Sequence, residues 1–133
     1  MSFQFNAMIP ELYVFDIEAT KEFYLTTLEF TLEYQRPEEK FVFLSFGDTQ
    51  MMFEELYDDG WNTGDMQYPL GQGVNFSIEV KPDIEAYYQR LKERGVSFYR
   101  ELTTDHYDVE GVIYSPQQFI VQDPSGYLLR FTT

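Results

Sequence analysis

The stretch Phe119-Ile120-Val121-Gln122-Asp123-Pro124-Ser125-Gly126-Tyr127-Leu128-Leu129-Arg130-Phe131 is an apolar run, a tight turn and a second apolar run. Pro124 presets one backbone angle of the turn, and Gly126 tolerates a positive φ. The last strand is thereby launched in a fixed register. Leu128, Arg130 and Thr132 fall on one of its faces and Tyr127, Leu129 and Phe131 on the other.

Reading back from this turn, strand-like runs cover Phe119 to Gln122, Gly111 to Tyr114 and Val96 to Glu101. Before them, Pro82-Asp83 opens a helix whose apolar face is Ile84, Tyr87, Tyr88 and Leu91, and Gly95 suits its C-terminal cap. Val74 to Val80 precedes that helix as an alternating strand.

The same order stands nearer the N-terminus. Pro10 to Phe15 reads as a strand and Asp16 as a helix cap. Thr20, Phe23, Tyr24, Thr27 and Leu28 then repeat at helical spacing. Three strands follow: Phe30 to Arg36, Lys40 to Phe46 with the turn Gly47-Asp48, and Gln50 to Leu56. Tyr57 to Gly73 holds four glycines and one proline and reads as a connector. The chain is therefore expected to be an α+β protein of two βαβββ modules with curved mixed sheets and helices outside. Module one covers about 8–56, the connector 57–73, and module two about 74–133, within one domain of 133 residues.

Composition narrows the function classes. Nine basic residues stand against 23 acidic ones, a formal charge of −14, which repels phosphate backbones and argues against nucleic acid as a partner. There is no cysteine, so disulfides, thiolate nucleophiles and cysteine-ligated zinc are excluded. No apolar run approaches the roughly 20 residues needed to cross a bilayer, and the N-terminus lacks a signal-peptide pattern. The expectation is a cytoplasmic protein without a membrane partner. Thirteen Phe and eleven Tyr exceed ordinary core needs and offer ligand walls. The pairs Glu38-Glu39 and Glu54-Glu55 point to opposite faces if they lie on strands, so neither forms an acid/base dyad.

The double pattern resembles the vicinal oxygen chelate superfamily: glyoxalase I, extradiol dioxygenases, fosfomycin-resistance enzymes and bleomycin-resistance proteins. The residues that carry the likeness are Val14-Phe15-Asp16-Ile17, Phe23-Tyr24, Leu28-Glu29-Phe30 and the closing run from Phe119 to Phe131. The Asp-Pro-x-Gly turn is the most specific of them, and the likeness spans roughly Met8 to Thr133.

The resemblance implies a divalent metal held by His, Glu or Gln at four strand positions. These positions fall here on Ile9, Met52, Asn75 and Arg130, with Glu54 two residues from the second. Hydrocarbon, thioether, amide and guanidinium do not make a site for such a cation. The lone His106 lies off the matched positions. No cofactor is therefore expected, and metal-dependent lyase or dioxygenase chemistry is disfavoured. The alternative is a glyoxalase- or dioxygenase-like enzyme with a non-standard site. The ending Gly126-Tyr127-Leu128-Leu129-Arg130-Phe131 looks like the bleomycin-resistance branch, whose members are homodimers that bind the drug in crevices between subunits.

That branch implies a metal-free protein sequestering a cationic or aromatic, antibiotic-like small molecule, and a homodimer. The candidate ligand-binding residues are Met52, Glu54, Trp61, Asn75, Tyr107, Tyr114, Phe119 and Arg130. Trp61 sits among the carboxylates Asp58 and Asp59. Tyr107 lies in the cluster Asp105-His106-Tyr107-Asp108. Arg130 is expected either to pair with Glu54 or to anchor a ligand carboxylate or amide.

Overall fold

The computed structural model describes residues 3–133 and contains two compact units. One comprises the chain up to Leu70 together with Pro124–Gly126; the other comprises Gly71–Asp123 and Tyr127–Thr133. No helix among the described residues is long and apolar enough to cross a membrane.

In the first unit, β1 (Glu11–Val14), β2 (Thr31–Arg36), β3 (Phe41–Phe46) and β4 (Thr49–Glu55) form a sheet in the order β1-β4-β3-β2. β1 runs parallel to β4, which the long connection between them allows, and the other pairs are antiparallel. Asp16 caps the helix as expected: its Oδ1 accepts from the N–H groups of Glu18 at 2.9 Å and Ala19 at 3.1 Å. Glu55 adds a bond from the Ile17 N–H at 3.0 Å and an ion pair with Lys40 at 2.8 Å. Those two contacts hold the Glu55 carboxyl below its ordinary range. Asp16→Ala is expected to lower stability by about 1 kcal/mol, read as a lower denaturation midpoint with an unchanged slope.

The regular helical spacing read from the sequence changes partway. α1 (Ile17–Lys21) continues as a π-helical turn over Glu22–Thr27, closed by Leu28 N–H to Phe23 O at 2.9 Å. The wider turn changes which residues face inward. Ile17, Thr20, Tyr24 and Leu28 are buried, whereas Phe23 and Thr27 are only half-buried. Tyr24 packs on Phe53 of β4 with ring centroids 4.5 Å apart.

β3 is buried on both faces. Its second face is covered by the N-terminal segment, where Phe3 and Phe5 lie 5.2 and 5.5 Å from the Phe43 ring. The Gln50 side chain fixes that segment, accepting from Asn6 N–H at 2.7 Å and donating to Gln4 O at 2.6 Å. The pair Glu38-Glu39 belongs to a short 3-10 turn, Pro37–Glu39, and not to a strand.

In the second unit, β5 (Asn75–Glu79), β6 (Phe98–Thr104), β9 (Gln117–Gln122) and β10 (Leu128–Thr132) repeat the same order, β5-β10-β9-β6. β5 runs parallel to β10. Helix α2 (Ile84–Glu93) is capped by Asp83, which accepts from Ala86 N–H at 3.1 Å. It buries Ile84, Tyr87 and Leu91, and Gly95 takes φ +83° just past its end. The expected alternation in β10 is present: Leu129 and Phe131 are fully buried, and Leu128, Arg130 and Thr132 are half-exposed.

A further element departs from the sequence reading. Residues 107–109 are a strand, β7 (Tyr107–Val109), paired with β8 (Val112–Tyr114) in a two-residue hairpin. Its turn residues Glu110 and Gly111 both have positive φ, 53° and 86°. The expected strand start at Gly111 thus moves to Val112, because Gly111 belongs to the turn.

Candidate functional site

The face of each sheet opposite its helix carries a polar constellation. In the second unit, β10 places Arg130 level with Ser77 of β5 and Ile120 of β9. Arg130 Nε donates to Asn75 Oδ1 at 2.9 Å, and Nη1 donates to Gln118 Oε1 at 2.9 Å. Gln118 is 1% exposed. Its Nε2 donates to Asp105 Oδ2 and to Tyr107 Oη, both at 2.8 Å. Asp105 also accepts from the Arg100 guanidinium, and these two donors hold its carboxyl below the ordinary range. A cavity of about 430 Å³ opens beside this network, lined among others by Ser77, Tyr107, Tyr114, Gln118, Arg130 and Thr132.

Four sequence candidates, Asn75, Tyr107, Tyr114 and Arg130, therefore come together on one unit. Gln118 joins them, a residue the sequence reading passed over. Its signal was available in strand alternation: Gln118 pairs with Thr132, on the same face as Arg130. Phe119, one residue on, points the other way. It is 0% exposed and packs against Phe131, Phe98, Tyr88 and Tyr87 at ring centroid distances of 5.2, 5.5, 5.3 and 5.9 Å. Phe119 is thus placed in the helix-side core rather than on a ligand wall. His106 lies in the loop between β6 and β7, its Nδ1 2.7 Å from Ser115 Oγ.

In the first unit, Glu54 lies on β4 level with Tyr13 of β1 and Phe41 of β3. Its neighbour Glu55 turns to the helix side, as strand alternation requires. A cavity of about 450 Å³ is lined by Glu38, Glu39, Lys40, Glu54, Glu55, Leu56 and Tyr57. Lys40 pairs with Glu55, and Glu39 with Arg36. The Glu54 carboxylate has no hydrogen bond or ion pair among the described residues. Burial, then the charges of Glu11 and Glu39, push its carboxyl above the ordinary range, and Arg36 offsets part of this.

Tyr57 forms one wall, its ring edge-on to Tyr13 at 5.9 Å. The hydrogen bond to Tyr13 pushes the Tyr57 hydroxyl up to about 12. Tyr13 Oη in turn accepts from the Trp61 N–H at 2.7 Å, while the Trp61 residue is 87% exposed. Met52 is half-buried one alternation along β4 from Glu54, and Ile9 lies before β1.

These surroundings test the fit of a divalent metal. Ile9 offers only hydrocarbon, Met52 a soft thioether, and Arg130 a fixed cation. The Asn75 oxygen already accepts from Arg130. Among the described residues no group of three or more His, Cys, Asp or Glu side chains is arranged to hold a metal ion. The residues at the four matched positions do not fit such an ion.

The family model for the Glyoxalase/Bleomycin resistance protein/Dioxygenase superfamily matches residues 6–131, so the chain belongs to that superfamily, the vicinal oxygen chelate group. A superfamily member from Vibrio splendidus 12B01 is 38% identical over 92% of this chain and 93% of its own, with a TM-score of 0.42. A glyoxalase/bleomycin resistance protein/dioxygenase from Alicyclobacillus acidocaldarius is 25% identical over 99% of this chain and 93% of its own, with a TM-score of 0.67. An integron cassette protein from the mobile metagenome of V. pseudocholerae, 16% identical over 100% and 98% of the two chains with a TM-score of 0.72, shares the fold. No curated protein matches the chain.

Proposed function

We propose that this superfamily member is a small-molecule-binding protein that takes a cationic, aromatic ligand without metal chemistry. The observation that carries the reading is the Glu54 carboxylate. It is half-buried in a cavity, has no cation paired with it, and stands beside the Tyr57 ring. An ammonium or amidinium group entering there gains an ion pair in a partly desolvated setting and cation–π contact with the ring. The acidic surface, at a formal charge of −14, draws such ligands in. Under the same reading the protein is a cytoplasmic homodimer whose ligand lies in a crevice between subunits. Sedimentation should then give twice the 15.8 kDa chain mass.

The test is a fluorescence titration of Trp61 with copper-free bleomycin and simpler planar cations, in the wild type and in Glu54→Gln. Loss of the charge is expected to weaken binding about tenfold, equivalent to about 1.4 kcal/mol. Equal affinities for the two proteins, or no response of the wild type up to millimolar cation, would overturn the reading.

The pH dependence has a definite sign. Cation binding needs the ionised carboxylate, and the Glu54 carboxyl is raised. Affinity should therefore be full at neutral pH and fall on acidification, beginning at a higher pH than an ordinary carboxylate would show. In Glu54→Gln that limb should disappear.

A further inference from the structure

We infer that the open face of the second sheet is a separate binding site for a small aromatic carboxylate, anchored by Arg130. The Arg130 guanidinium is bound but not ion-paired. Its two bonds go to neutral amide oxygens, Asn75 Oδ1 and Gln118 Oε1, and no Asp or Glu pairs with it. The charge is held but not neutralised, and three of its five N–H donors are unused among the described residues. This occurs in a chain with 23 acidic residues, where carboxylate partners are plentiful.

The support beneath it is rigid and polarised in one direction. Both N–H groups of Gln118 are spent on Asp105 and Tyr107, so its oxygen is the atom presented to Arg130. Asp105 is in turn fixed by Arg100. A guanidinium held at two points, one of them the buried Gln118, loses little entropy on gripping a ligand. The space in front of it has the right chemistry for such a ligand. The cavity of about 430 Å³ is walled by the rings of Tyr107 and Tyr114, with hydroxyls from Ser77 and Thr132 and with Thr133 at its rim. No Asp or Glu side chain lines it.

Carboxylate geometry matches the planar donors of Arg130, and the two tyrosines suit a flat apolar body. The net charge of the protein disfavours polyanions, which selects a single carboxylate over a polyphosphate.

The experiment is calorimetry and ¹H–¹⁵N NMR on the full chain with benzoate, its neutral counterpart benzamide, and inorganic phosphate. Benzoate is expected to bind, to shift the Arg130 Nε–H resonance, and to exceed benzamide in affinity at least tenfold. Arg130→Met should abolish binding. Arg130→Lys, which keeps the charge and loses the planar fork, should weaken it about tenfold. Thermal midpoints identify any variant that fails to fold, and Arg130→Lys then decides. The Arg130 variants are also titrated with the planar cation, so that failure of this site and failure of the cation site are told apart. Equal binding of benzamide, undiminished binding by Arg130→Lys, or no benzoate binding at all would overturn the inference. Phosphate binding as tightly as benzoate would also overturn it, by showing a bare anion site.

Discussion

Gly126→Ala is expected to destabilise the protein by about 3–5 kcal/mol, the sum of backbone strain and steric overlap. Gly126 has φ +111°, a conformation that side-chain-bearing residues rarely adopt. A Cβ there would also stand 2.6 Å from the Pro69 Cα and 2.7 Å from the Leu70 nitrogen. Those are backbone atoms, so no rotamer change relieves them. The segment they belong to is held in place, since Leu70 N–H donates to Ser125 O at 2.9 Å and Phe15 N–H donates to Ser125 Oγ at 3.2 Å. The substitution therefore pushes the turn off its docking strip. Urea denaturation of the purified variant measures the cost. Gly47→Ala provides the contrast: its φ of +57° carries the strain, but nothing lies within 4 Å of the added methyl. A loss at Gly126 no larger than at Gly47 would mean that the close approach contributes nothing.

The second large effect is expected at Phe119. Phe119→Ala should cost about 3–5 kcal/mol, because its ring is fully buried and contacts four others. Its register partner on β10 is Phe131, with which it stacks at 5.2 Å, so the cavity would open in the middle of the sheet-to-helix layer. Thermal or chemical denaturation gives the magnitude. The folded fraction of the variant should bind benzoate and cations as the wild type does, since Phe119 faces the helix and Gln118 and Arg130 face the cavity. A variant of near-native stability with altered ligand affinity would return Phe119 to the ligand wall.

Phe119 also shows how much of the candidate site was legible. Grouping it with Tyr107 and Tyr114 rested on proximity in sequence and aromatic character. Strand alternation separates them, and applied one residue earlier it would have selected Gln118. Arg130 and Asn75 were reached through the family positions, and they are hydrogen-bonded to each other. Within the second unit Arg130 donates to Asn75 and to Gln118, and Gln118 was not among the residues the family positions supplied. Glu54 stands two residues from one of those positions, but its lack of a partner was not legible. That depends on Lys40 being taken by Glu55 and Arg36 by Glu39, which are side-chain geometries.

The elements that local chemistry dictates stood in the sequence. Asp16 and Asp83 cap helices because a short carboxylate satisfies exposed N–H groups. β10 alternates because one face packs on a core, and Gly126 turns because it lacks a Cβ. The repeated strand–helix–strand order, and with it the fold class, followed from those signals.

Tertiary structure decided the rest. β7 is exposed along its length, so no burial period marked it, and only its pairing with β8 defines it. The π-helical turn after α1 goes with the burial of Tyr24 and Leu28, and Tyr24 packs on Phe53 of the sheet. Phe3 and Phe5 close over β3 through contacts with residues some forty positions away. The two sites belong to this second class as well. Whether a charge is paired, screened or left open to a ligand is set by its neighbours in space, and periodicity along the chain does not encode it.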